Sequence, residues 1–299
     1  MSTEPGEMTA EPGKLMSIQL LGPLSVHLNG VPIMPGAAKQ HQVLALLALN
    51  AGRVVTVSAL AEELWGDSPP PSAPTTLQTY ILELRKRMAA AMGPDQDPKR
   101  VLVTRHDGYL LVADTRQIDV QEFTRLASAG RAAAESGNHR RAAELFGNAL
   151  ALWRGPALVD VRMGRVLELE AMALEEARLA VLGRRIDSDL TLGRHADLIG
   201  ELSALVARHP MNENFFALLI TALYRAGHIG RALQEFQRLR NSLIDELGVE
   251  PSAKLQWLHQ AVLSRDPALD IQGPPARPVP RASQRNCGRP RRRRLDRRP

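Results

Sequence analysis

The sequence predicts a mainly α-helical protein in two halves. Three observations carry that expectation. Short β-prone runs are confined to roughly the first 115 residues, where they flank three helical segments. The remainder reads as helix throughout. Two of its glycines, Gly193 and Gly227, stand 34 positions apart, the period of a two-helix repeat of the tetratricopeptide kind.

The elements of the first half follow in order. Ile18-Gln19-Leu20-Leu21, Leu24-Ser25-Val26-His27-Leu28 and Val31-Pro32-Ile33 are strand-like, and Asn29-Gly30 supplies a hairpin turn. Lys39 to Leu49 reads as a largely buried helix ending near Gly52. A second helix runs from about Val57 to Trp65, with Leu60, Ala61, Leu64 and Trp65 on one face and Gly66 as its stop. Asp67-Ser68-Pro69-Pro70-Pro71-Ser72-Ala73 breaks the helical pattern. Pro74 suits the start of a third helix, which continues to Met88. Then Val101–Thr104 and Tyr109–Val112 are β-prone runs joined by Arg105-His106-Asp107-Gly108. Asp-Gly between strands predicts a hairpin on the ground that its turn needs positive φ. Three helices followed by a hairpin make a winged helix-turn-helix, and the small sheet ahead of them marks the response-regulator type.

The third helix has two faces. Leu77, Ile81, Leu84 and Met88 recur at core spacing. Thr75, Gln78, Thr79, Leu82 and Arg85 lie off that stripe and form the candidate groove-reading set. Lys39, Lys86, Arg87 and Arg105 are the candidate backbone contacts, with Arg105 near the wing tip in reach of a minor groove or a phosphate. A solvated helix face and a solvated hairpin charge are the alternative readings of the same residues.

In the second half, Ala142, Phe146 and Ala149 follow Gly137 at plus five, nine and twelve, and Ala232 and Phe236 follow Gly227 at plus five and nine. The unit from Gly193 is degenerate, with Leu198, Leu202 and Leu205 in those places and Pro210 closing it. Small residues at plus five let helices approach closely. The stretch from about Val166 to Leu192 reads as an extra helix between the first two units. His139, His195 and His228 read as turn residues.

Charge is unevenly held. The net +6 of the chain comes from residues 266–299, where ten basic face three acidic side chains, a net +7. Residues 15–115 carry eight of each and are neutral; 116–265 stand at +1, with 19 against 18, and 1–14 at −2, with one against three. High basicity is therefore no argument for specific DNA binding. A neutral DNA-binding unit is expected to need tandem sites for affinity. The expected organisation is a disordered segment 1–14, a winged helix over 15–115, a tetratricopeptide-like domain over 116–265 and a disordered Pro/Arg-rich tail over 266–299. The single cysteine, Cys287, lies in that tail, which fits a reducing cytoplasm. No P-loop, metal-spaced histidine pair or nucleophile elbow is present, so neither an enzyme nor a cofactor is expected.

Several motifs together resemble one family. They are Leu20-Leu21-Gly22-Pro23-Leu24, Lys39 to Leu47, Leu64-Trp65-Gly66, Pro70, Leu77-Gln78-Thr79-Tyr80-Ile81, Leu84-Arg85 and Gly108-Tyr109-Leu110-Leu111. In these the chain resembles a small Streptomyces antibiotic regulatory protein, and the likeness extends over about 15–265, with the bacterial transcriptional activation domain in the second half. The resemblance implies a cytoplasmic, nucleoid-associated activator of a secondary-metabolite gene cluster. It implies binding to direct repeats in double-stranded DNA, self-association there, and recruitment of RNA polymerase holoenzyme. It also puts the loop of Gly66, Asp67, Ser68, Pro69 and Pro70 near the polymerase. Glu83 departs from the basic or neutral residue many relatives carry. The competing readings are a helical-repeat interaction module and a ligand-gated repressor.

Overall fold

The computed structural model describes residues 16–114 and 117–270. The expectations for the N-terminal fourteen residues, for Cys287 and for the Arg-rich run lie outside the described residues. The element order is β1 (Met16–Gln19), β2 (Ser25–Leu28), β3 (Val31–Pro32), α1 (Ala38–Leu49), β4 (Val54–Thr56), α2 (Val57–Trp65), α3 (Ala73–Ala90), β5 (Leu102–Arg105), β6 (Gly108–Leu111), then helices α4 to α10. β1, β2 and β3 form one antiparallel sheet, with Asn29 and Gly30 at positive φ in the turn between β2 and β3. β4, which the hydropathy pattern does not reveal, pairs with β6 to make a second sheet in the order β4-β6-β5.

The wing forms where the sequence predicts it, for a different reason. Its two-residue turn is His106-Asp107, and Arg105 pairs with Gly108. None of His106, Asp107 and Gly108 has positive φ. Gly108 is required by space instead: a Cβ there would lie 2.0 Å from the Val55 carbonyl oxygen on β4. The Val57 amide also donates to the Asp107 carbonyl (2.8 Å), tying the start of α2 to the wing tip.

The second half stacks helical hairpins: α4 (Asp119–Glu135) with α5 (His139–Leu150), α6 (Arg165–Thr191) with α7 (His195–Arg208), and α8 (Glu213–Arg225) with α9 (Ile229–Leu247), followed by α10 (Ala253–Ser264). Gly137, Gly193 and Gly227 each sit between the two helices of a hairpin at φ near +80 (78, 83 and 81). In each case the next amide reaches the carbonyl five residues back: Asn138 to Ala133, Arg194 to Asp189, His228 to Leu223. The repeat period thus marks the middle of each hairpin rather than its beginning. The segment read as an extra helix between units is α6, the first helix of the second hairpin.

The hydrophobic core does not respect the midpoint of the chain. Leu158, Val161 and Leu167 pack into the core that holds α1, α2 and α3, while Leu21 packs among Phe123, Phe146 and Trp153 of the helical half. The two halves are joined by buried contact, which orients the face of α3 relative to the helical stack.

Candidate nucleic-acid interface

Helix α3 buries Leu77, Ile81, Leu84 and Met88, as the spacing requires. Its N-terminus carries Pro74 and no acidic residue in the first turn. Thr75, Gln78, Thr79, Leu82 and Lys86 are exposed. The Thr79 hydroxyl donates to the Thr75 carbonyl (3.0 Å), so its oxygen keeps acceptor capacity toward solvent.

The arginines behave differently. Arg85 is half-buried, and its guanidinium donates to the Leu102 carbonyl (3.0 Å from Nε, 2.7 Å from Nη2) and to the Thr104 hydroxyl (2.8 Å). It braces the wing strand against α3. Arg87 donates to the Met34 carbonyl (3.0 Å) and stands 3.6 Å from the Glu83 carboxylate. Glu83 points sideways along the helix, toward Arg87 and toward Lys86 at 3.9 Å. Lys86 is 66% exposed, the freest cation on this helix. Lys39 lies over the Trp65 ring, 5.0 Å from its centroid, which links α1 to the end of α2. Arg105 is exposed beside the wing turn. The loop after α2 begins with Gly66 at φ +60; Gly66, Asp67, Ser68 and Pro69 are exposed and Pro70 is half-buried.

Three acids whose role sequence reasoning missed join the two halves. Glu63 is 2% exposed. Its carboxylate accepts from the amides of Gly164 (2.5 Å) and Leu167 (2.9 Å), capping the N-terminus of α6, and Gln42 approaches it at 3.4 Å. A negative charge at that end suits the helix dipole. Asp119, at the start of α4, accepts from Leu20 (2.8 Å) and Leu21 (3.0 Å), with Arg154 3.7 Å away. Burial pushes its carboxyl above the ordinary value, against the lowering effect of the Leu21 and Leu20 amides and of Arg154. Asp160 accepts from Leu24 (2.7 Å). The Leu20–Leu24 loop is therefore gripped by three side chains of the helical half: Asp119, Arg154 (which donates to the Pro23 carbonyl at 3.1 Å) and Asp160. Only Asp119 carries a sequence signal, as an acid at the head of α4; Glu63 lies in the last turn of α2 and Asp160 in the loop before α6, and which backbone each holds is a tertiary fact.

A polar helix face with an exposed basic hairpin beside it, on a scaffold of this topology, is what a major groove accommodates. Comparison with known proteins identifies the family. A family model for the C-terminal part of transcriptional regulatory proteins matches residues 34–111, and one for the bacterial transcriptional activator domain matches residues 118–263. Over 261 residues the chain is 52% identical to the regulatory protein DnrI of Streptomyces peucetius, spanning 87% of this chain and 96% of that one. The chain belongs to the Streptomyces antibiotic regulatory protein family. The transcriptional regulator RedD of Streptomyces coelicolor is 38% identical over 87% of this chain and 73% of its own. A solved structure of Mycobacterium tuberculosis EmbR in complex with a low-affinity phosphopeptide matches with a TM-score of 0.79 at 34% identity, over 85% of this chain and 66% of that one. As a member of the Streptomyces antibiotic regulatory protein family, this protein is a DNA-binding transcriptional activator of an antibiotic gene cluster. Among the described residues no helix is long and apolar enough to cross a membrane, and no group of three or more His, Cys, Asp or Glu side chains is placed to hold a metal ion.

Proposed function

We infer that this activator works without catalysis, in the cytoplasm at the nucleoid, by binding direct repeats near a promoter of a secondary-metabolite cluster and adding contacts for RNA polymerase. The winged helix, within 15–115, makes the DNA contacts; the helical half, within 116–265, makes contacts to polymerase or to a second copy. The observation that carries this reading is the face of Thr75, Gln78, Thr79, Leu82 and Lys86. It is exposed, and Arg85 holds the wing beside it.

In this reading each copy lays α3 in one major-groove segment and the wing on the neighbouring backbone, with half-sites about one helical turn (roughly 10–11 bp) apart. Arg105 and Lys86 supply phosphate contacts. Lys39 and Arg87 add to the positive potential but spend part of their reach on Trp65 and on Met34. Arg85 acts on DNA mainly through the wing it holds. The loop from Gly66 to Pro70 leads from α2 into α3 and is offered to polymerase. The winged helix is neutral overall, so affinity comes from pairing copies on tandem repeats.

The test is a footprint on DNA upstream of a neighbouring biosynthetic operon, with the full chain and nothing else added. Protection of evenly spaced direct repeats is expected. Protection only when a protein partner is added would favour an interaction module, and release by a metabolite would favour a ligand-gated repressor.

A further inference from the structure

Leu82 is the one large apolar side chain of α3 that is more than half exposed, at 54%. Leaving a leucine in water forgoes the stabilisation its burial would bring. Its neighbours on the helix surface, three and four positions away, are Gln78, Thr79, Arg85 and Lys86, all polar. On the surface of α3 itself, then, no apolar neighbour extends it into the patch that a protein-docking surface would require. What fits a single apolar group amid hydrogen-bonding side chains is a single apolar group on the partner. In a DNA major groove the base-edge group of that kind is the C5-methyl of thymine.

We propose that Leu82 is a specificity-determining residue that reads one thymine methyl in each half-site. The proposal rests on α3 occupying the groove. Gln78, one turn before Leu82, and Lys86, one turn after it, bracket the methyl along the groove. A neutral unit gains from such a contact because it discriminates between bases without adding charge.

The experiment uses the full chain and a duplex recovered by selection with it from a randomised pool. Each thymine is replaced in turn by deoxyuridine, which keeps every hydrogen-bonding group and removes only the methyl. One position per half-site is expected to weaken binding about fourfold, the value of one buried methyl-sized group. Leu82→Ala should bind the thymine duplex more weakly by a similar factor and be indifferent to deoxyuridine at that position. Because Leu82 is exposed, this variant should melt like the parent. If no thymine is methyl-sensitive, or if parent and Leu82→Ala lose the same factor at it, the proposal is overturned. Gln78→Ala separates the two levels of inference. If it weakens binding while deoxyuridine does not, α3 is in the groove and only Leu82's role fails. If Gln78→Ala and Leu82→Ala both bind as the parent does, the groove placement of α3 fails as well.

Discussion

The two sides of the winged helix use the same kinds of side chain to opposite ends. On the side of α3 and the wing, Lys86 and Arg105 are exposed, and the ion pairs of Glu83 are long and solvated. At the seam with the helical half, Glu63 of the winged helix and Asp119 and Asp160 from across the seam are each committed to named backbone amides. Solvated pairs of the first kind are worth little to stability. Removing a buried acceptor strands its donors and costs much more. The comparison teaches that one surface keeps Lys86 and Arg105 exposed and at most weakly paired so that it can bind, while the other is satisfied internally so that it can hold an orientation.

That contrast can be broken by substitution, and the largest effect belongs to the seam. Gly164→Ala would place a Cβ 2.1 Å from the Glu63 carbonyl oxygen. The start of α6 must then shift, at a cost of about 3 kcal/mol or more in denaturant unfolding. An unchanged midpoint would show that the seam is loose. Glu63→Ala strands the Gly164 and Leu167 amides and should cost about 2–3 kcal/mol, with binding to a single half-site preserved once the protein is folded. Arg85→Ala should cost roughly 1 kcal/mol of stability and weaken DNA binding about equally across sequences, because it frees the wing rather than removing a base contact. A loss confined to one base position would instead make Arg85 a reader. Lys86→Ala should leave the melting temperature unchanged and lower the salt slope of DNA binding by about one.

The smallest effect is a pH dependence far from both surfaces. His259 stacks on Phe236 with ring centroids 4.0 Å apart, and burial lowers its pKa below 6.5. The fold therefore favours neutral imidazole, and below pH 6.5 the unfolded chain binds the extra proton. The contribution is present above that value and is lost as pH falls through the folded one. Melting curves between pH 7.5 and pH 5.5 should show a small fall in stability that His259→Phe removes.

Much of this architecture can be read along the chain. The core stripe of α3, the stop at Gly66 and the turn glycines of the helical hairpins all follow from local rules, because each is a matter of spacing or of backbone conformation. Two hairpins show where such rules stop. Asn29-Gly30 is a turn that takes positive φ, as its sequence suggests, and a Cβ on Gly30 would meet nothing. Asp107-Gly108 carries a similar signal, yet its glycine is there to let β4 pass close by. The two cannot be told apart without knowing that β4 exists, and β4 is three residues long. The Leu20–Leu24 motif is similar. It marks the family by sequence, but its geometry is explained only by Asp119, Arg154 and Asp160, roughly 100 or more residues away.

For the candidate site, the exposed set of Thr75, Gln78, Thr79, Leu82 and Lys86 follows from helical periodicity alone, since position around a helix is fixed by residue number. Whether an arginine on that helix is free is another matter. Arg85 and Arg87 have side chains long enough to leave their own face, and their partners at Leu102, Thr104 and Met34 come from other elements. By itself the sequence determined which segments are helices, which faces are apolar and which family the chain resembles, because these depend on near neighbours. Only the tertiary structure decided which charges are spent and how the two halves are locked, because an acid's role depends on which distant amides are brought within hydrogen-bond reach.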